Sequence, residues 1–230
     1  MGLCRYSVTA GKNPREIVLL RALPCKWGRC TFCDYIDDNS TDPAQAATEN
    51  REILSHVTGE LGVLDVIDSA SCFDLPKETM SDLKRVIAEK KIQKMFTECH
   101  YMYKNRLSEW TAYFGVNTIF RCGVETFDNQ FRNDILRKGA YFSSPAEVAQ
   151  YFSSVCLLVG VAGQTKEMIQ ADIQALQDYF PYGCINIFTP NSTALQADEQ
   201  LISWFRKEYA WLNGEPHIEV LWRNTDLGVG

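Results

Sequence analysis

The 230-residue sequence has no stretch that could cross a bilayer: its longest apolar or small run, Cys156 to Ala162, falls far short of the roughly 20 residues required. It opens without a charged-then-apolar leader pattern, so a cytoplasmic chain is expected. There is no Lys/Arg run long enough to track a phosphate backbone, and 29 acidic against 23 basic residues leave a formal net charge of -6. Nucleic acid is therefore not expected as the main ligand. No linker, low-complexity segment or repeat interrupts the chain, and one domain over residues 1–230 is expected. The nine cysteines are an odd number in a chain without a leader, which favours reduced thiols over a disulfide framework.

What is there is a cluster of three of those cysteines, in Leu23-Pro24-Cys25-Lys26-Trp27-Gly28-Arg29-Cys30-Thr31-Phe32-Cys33-Asp34-Tyr35. The spacing Cys-x4-Cys-x2-Cys directly after an apolar run makes a loop whose thiolates can converge on one face of an iron–sulfur cluster, where four ligands would be usual. A missing fourth ligand leaves one iron open to a small molecule, as a catalytic metal site keeps an exchangeable position. Two other readings stay open on the residues alone. The three thiols could hold a structural zinc with His100 or a distant cysteine in a non-catalytic binding module, or they could be buried as small hydrophobes. The zinc reading lacks a second Cys-x2-Cys or a histidine pair at usable spacing.

Apolar runs of strand length recur along the chain, at Ile17–Leu23, Val63–Asp68, Lys94–Cys99, Asn117–Val124, Cys156–Val161 and Ile185–Thr189. Helical patterns and caps lie between them. Asp42-Pro43 opens a helix to about His56, Pro76 one to about Lys91, and others are expected near Asn105–Phe114, Asp128–Arg137 and Thr165–Phe180. Ser144-Pro145-Ala146-Glu147 is a full capping box, and Thr193–Gln196 matches one. A last helix places Leu201, Ile202, Phe205, Tyr209 and Leu212 on one face. Six strand–helix alternations predict an α/β fold, a partial (β/α)6 TIM-like barrel of six parallel strands with its functional loops at the carboxyl ends of the strands. A flat doubly wound sheet is the alternative.

With these residues in view, the chain resembles the radical S-adenosylmethionine (SAM) superfamily over nearly its whole length. That family's usual motif is Cys-x3-Cys-x-aromatic-Cys; Phe32 matches the aromatic position, while the first gap here is one residue longer. The resemblance implies a [4Fe-4S] cluster on Cys25, Cys30 and Cys33, with SAM chelated at the remaining iron. It implies contacts to SAM from Ser69 and Ser71 after the second strand, from Glu125 to the ribose hydroxyls, and from Arg137 to the SAM carboxylate, a task that suits a guanidinium fork. It further implies adenine contacts at Gly160, where the backbone comes close, and Phe188. An external electron donor of flavodoxin or ferredoxin type follows from the same resemblance.

The compact length, acidic balance and widened loop resemble the queuine lyase group, which implies a small-molecule substrate whose carbon–nitrogen bond is cleaved. Asp34, Asp68 and Asn186 are the candidate substrate-binding residues. Glu98 and His100 are the candidate catalytic ones, His100 because imidazole titrates near neutrality.

Overall fold

The computed structural model describes residues 3–230. Its centre is a single eight-stranded sheet in the order β1 to β8: β1 Tyr6–Thr9, β2 Arg15–Leu20, β3 Val63–Asp68, β4 Lys94–Cys99, β5 Asn117–Glu125, β6 Ser154–Val159, β7 Tyr182–Ile187 and β8 Ile218–Leu221. Strands β2 to β8 run parallel, and β1 is antiparallel to β2. The sheet curls into the partial barrel expected, with its six strands present as β2 to β7. Two more flank them. Neither β1 (Tyr-Ser-Val-Thr) nor β8 (Ile-Glu-Val-Leu) carries the continuous apolar run of a strand buried on both faces, because each lies at an edge.

The seam between the first and last strands is closed by specific bonds. Cys4 and Gly230 exchange backbone hydrogen bonds, the Lys12 ammonium donates to the carbonyls of Leu212 and Ile218, and Arg15 makes a two-pronged ion pair with Glu219. The segment Leu221–Asp226 leaves the end of β8 as a capped turn. Leu221 ends β8, Trp222 packs on Phe205 and under Arg206, and Asp226 caps the turn by accepting the Trp222 and Arg223 N–H groups.

Helices α1 Pro43–Ser55, α2 Lys77–Glu89, α3 Leu107–Phe114, α4 Pro145–Ala149, α5 Lys166–Tyr179 and α6 Glu199–Glu208 fill the crossovers and cover the outside. Their starts follow from cap chemistry: the side chains of Asp42, Ser144, Thr165 and Asp198 accept first-turn N–H groups that would otherwise be orphaned. The Thr193–Gln196 match opens no helix, because the cap that works is Asp198, with its carboxylate on the Leu201 N–H. The expected helix at Asp128–Arg137 is reduced to one wide turn, Phe131–Ile135 with π-type bonding. None of the helices is long and apolar enough, among the described residues, to cross a membrane.

Side chains alternate across each strand. Val18, Leu20, Leu64, Val66, Met95, Cys122, Val155 and Leu157 face outward into one continuous core beneath the helices. The inward set is different in kind. Arg15, Asp65, Glu98, Arg121 and Glu219 form an ion-pair network in the barrel interior, with Arg15 and Arg121 sharing Asp65 Oδ2 at 2.8 and 2.9 Å. Burial by itself costs such charges several kcal/mol each, so the network stands only because they neutralise one another.

Candidate active site

The site is built where β2 ends. The fully buried Asn50 of α1 accepts the Arg21 N–H and donates to the Arg21 carbonyl, holding the residue just past the strand as a neighbouring strand would. The chain then leaves the sheet as the cysteine loop. Asn39 ties the two ends of that loop together: its carbonyl accepts the Cys25 N–H, and its amide donates to the Ser69 carbonyl and hydroxyl beyond β3. Arg5 and Arg21 both pair with Asp38.

A second anchor clamps the loop to the Phe131–Gly139 segment. Thr31 donates its N–H to the Leu136 carbonyl at 3.0 Å and its hydroxyl to the Ile135 carbonyl at 2.7 Å. Trp27 donates Nε1–H to the Arg137 carbonyl at 2.8 Å, and its ring covers Gly139 and stacks on His100 with centroids 5.9 Å apart.

Cys25, Cys30 and Cys33 are half-buried on this clamped loop. The Gly28 N–H donates to Cys25 Sγ at 3.4 Å; burial pushes the Cys33 thiol up, and the nearby Tyr35 and Ile36 backbone opposes it. Burial pushes the Cys30 thiol up to about 12; the nearby Lys138 ammonium opposes this, and the charges of Glu125, Cys33 and Cys25 add to it. The three sulfurs therefore lie within electrostatic reach of one another. Among the described residues, no three His, Cys, Asp or Glu side chains converge tightly enough to grip a single ion.

That combination fits a cluster better than zinc. A tetrahedral zinc at Zn–S of about 2.3 Å brings its thiolates to about 3.8 Å of one another. A cubane binds each thiolate through a different iron and needs them farther apart.

Facing the loop is a cation one residue beyond the one expected from the sequence. Arg137 was expected to meet the SAM carboxylate; its side chain is exposed and lines an open cleft with Asn133, Asp134 and, from the cysteine loop, Trp27 and Arg29. The less exposed cation is its neighbour Lys138, partly buried, whose ammonium lies 2.7 Å from Glu125 Oε1 and 5.5 Å from the centre of the Phe32 ring. The backbone explains the exchange. Arg137 adopts φ +49, in the left-handed region, and this turns its own side chain outward and the next one in. Glu125 holds Lys138 protonated, well above the usual ammonium range. Glu125 itself sits after a register shift at the end of β5, also at positive φ.

The other expected contacts divide. Phe32 and Phe188 come together around Phe131, Leu136, Leu158 and Val161 in a small apolar cluster apart from the main core. Gly160 is near that cluster, but its lack of a side chain serves α6: a Cβ there would lie 2.3 Å from Ile202 Cγ1. Ser69 and Ser71 are buried in framework bonds, Ser69 accepting the Ala22 N–H and Asn39 amide and Ser71 the His100 N–H. Neither serine hydroxyl faces an open space.

His100 is likewise committed. Its Nδ1 accepts the Met102 N–H at 3.1 Å, which leaves Nε2 to donate to the Lys138 carbonyl at 2.8 Å. Burial, with Lys138 adding, pushes its pKa down to about 4. The ring is neutral at physiological pH and holds the Lys138 backbone in place rather than offering a free proton.

Of the candidate substrate residues, Asp68 is buried and accepts the Ala70 N–H, with burial and the Glu98 charge raising it well above the usual carboxylate range. Asp34 lies against the Ser192 N–H at 3.4 Å near the surface. Asn186 is half-exposed on the inward face of β7 and accepts from Cys184 Sγ at 3.3 Å. Glu98 is half-exposed on the inward face of β4. Cys72, Cys99, Cys122 and Cys184 are buried, as packing residues are. Lys138, Asn39 and Asn50 were not singled out in the sequence. Lys138 was within reach, one residue from the arginine chosen.

No protein-family model matches this chain, and no curated protein does. Among solved structures, the queuine lyase from Clostridium spiroforme bound to SAM and queuine is similar at 44% identity and a TM-score of 0.98, covering 100% of each chain. The radical SAM methyltransferase TsrM from Kitasatospora setae, with tryptophan substrate and the SAM analogue aza-SAM bound, is 12% identical with a TM-score of 0.47. That likeness covers 74% of this chain and 35% of the other, and is too slight to argue from.

Proposed function

This chain belongs to the queuine lyase family of radical SAM enzymes, and from that premise we propose that it cleaves queuine at the bond between the cyclopentenediol and the aminomethyl nitrogen. The product retained on the base is 7-aminomethyl-7-deazaguanine. The observation that carries this reading is the full-length match to a queuine lyase. A clamped three-cysteine loop standing over an open barrel interior agrees with it. When bound on Cys25, Cys30 and Cys33, a [4Fe-4S] cluster supplies the electron that splits SAM into methionine and a 5′-deoxyadenosyl radical able to take a substrate hydrogen. A small acidic redox protein of flavodoxin or ferredoxin type is the proposed source of that electron.

The chain's own residues then have separable tasks. Lys138 offers its ammonium to the SAM carboxylate, and Glu125 both fixes that ammonium and has a second oxygen for ribose hydroxyls. Phe32, Leu158, Val161 and Phe188 give the adenine an apolar wall and keep water from the reacting centre. His100 and Trp27 act through others, holding the backbone on either side of Lys138. The zinc-module reading has no comparable support.

Anaerobically reconstituted protein incubated with SAM, queuine and dithionite is expected to yield 5′-deoxyadenosine together with 7-aminomethyl-7-deazaguanine, read by liquid chromatography and mass spectrometry. SAM cleavage with queuine recovered intact would overturn the substrate; no SAM cleavage would overturn the radical reaction.

A further inference from the structure

The ion-pair network of the barrel interior shares its bonds unevenly. Two guanidiniums, Arg15 and Arg121, meet three carboxylates, Asp65, Glu98 and Glu219. Asp65 and Glu219 absorb the arginines at 2.8 to 2.9 Å. Glu98 is left with a single contact, Arg121 NH1 at 3.4 Å, outside the range of a good N–H···O bond.

Glu98 also differs in access. Its side chain is 37% exposed, against 0% for Asp65 and 4% for Arg121. Strand alternation shows what it is exposed to. Arg15, Asp65, Arg121 and Glu219 point inward, and two residues farther along the same strands lie Ile17, Ile67, Gly123 and Leu221 on the same face. Ile67, Gly123, Leu221 and Asn186 are all half-exposed, so they and Glu98 line an open lumen on the cysteine-loop side of the ion-pair floor. Gly123 adds no side chain to the wall, and the space beside it is taken by the Glu125 carboxylate and the Lys138 ammonium, each 2.8 Å from where a Cβ would stand. Of the other acids near the strand ends, Asp68 is buried on an N–H group, Asp34 lies against Ser192 near the surface, and Glu125 is paired with Lys138.

Resting on the lyase reading, we propose that Glu98 is the carboxylate that recognises the aminopyrimidinone edge of the substrate base, accepting from its ring N–H and its exocyclic amino group. Two adjacent donors in one plane match the two oxygens of a carboxylate, as acidic side chains accept from base amino groups in nucleic-acid readers. An under-bonded carboxylate at the floor of a lumen is poised for that bond, because its remaining lone pairs have no protein partner. The ring then stands on its donor edge at the floor, with the aminomethyl-cyclopentenediol arm directed toward the cysteine loop. Glu98 so becomes a binding residue, where the sequence suggested a catalytic one.

The test is a specificity ratio: kcat/KM for queuine divided by that for its analogue lacking the exocyclic amino group. The wild-type ratio is expected to be about 10 or more, the scale of one good bidentate base contact. In Glu98→Gln the ratio is expected to fall toward one, with KM for queuine rising more than kcat falls. Glu98→Asp, which keeps a charge beside Arg121 but draws it back from the ring, is expected to give an intermediate ratio and decides the matter should the glutamine variant fail to fold. A ratio unchanged in the variants would overturn the assignment, since a framework or proton-transfer role lowers both substrates alike. If the wild-type protein does not turn over queuine at all, the lyase reading falls first; if it does and the ratio holds in the variants, only Glu98 falls.

Discussion

Alanine at Gly139 is expected to unseat the cysteine loop and to lower SAM cleavage by roughly a hundredfold, the scale of an ångström-size displacement of reacting groups. Gly139 has φ +64, and a Cβ built there would lie 2.1 Å from Trp27 Cζ2 and 2.3 Å from Cη2. Both neighbours of that contact are fixed. The Trp27 ring is held by its bond to the Arg137 carbonyl and its stacking on His100, and the Gly139 backbone follows directly on the anchored Lys138. The left-handed backbone costs an alanine about 1–2 kcal/mol, and overpacking about 1–3 kcal/mol more. Pushing Trp27 away lets the loop lift from the Phe131–Gly139 segment, so the variant should take up less iron on anaerobic reconstitution and lose SAM cleavage with it. Wild-type iron content and rate in this variant would show that the clamp is dispensable.

Lys138→Met is expected to weaken SAM binding by at least about tenfold, the loss of one charge-assisted bond to its carboxylate. The same change leaves Glu125 buried without its partner, an arrangement that costs about 3–5 kcal/mol when one member of a buried pair is removed. The melting temperature should therefore fall as well. Pairing it with Glu125→Met separates the two effects: the double variant should recover most of the stability, since an apolar pair replaces an ion pair, but not the SAM affinity. Equilibrium dialysis with SAM and thermal melts check both. By contrast, Arg137→Met should leave SAM affinity near wild type, since that side chain is exposed and makes no ion pair among the described residues. A larger loss of affinity in Arg137→Met than in Lys138→Met would reverse the assignment of the cation.

Much of this architecture could be read from local chemistry. The six inner strands announce themselves as apolar runs because a strand covered by helices on one face and lining a barrel on the other has little room for alternation. The cysteine loop was legible from spacing, and α1, α4 and α5 from their caps. What escaped depended on backbone sign or on strand parity. The step from Arg137 to Lys138 turned on a single positive φ that no composition reveals. Ser69 and Ser71 look like ligands in a sequence because they follow a strand, yet their hydroxyls are spent on Ala22, Asn39 and His100, residues brought there by the fold. The Gly160 position reads as a close approach, and is one, but to Ile202 of a helix more than forty residues later. The ion-pair floor that singles out Glu98 joins β2, β3, β4, β5 and β8, and no window along the chain contains it.

The account stands on three sulfurs that hold a cluster with one iron left for SAM. Electron paramagnetic resonance of the reduced, anaerobically reconstituted protein tests this most directly, with iron and sulfide measured on the same sample. The expected result is iron and sulfide in the proportion of a [4Fe-4S] cluster and a signal that changes shape when SAM is added, both lost when Cys30 is replaced by alanine. A protein that binds zinc in place of iron, or a cluster signal indifferent to SAM, would contradict it.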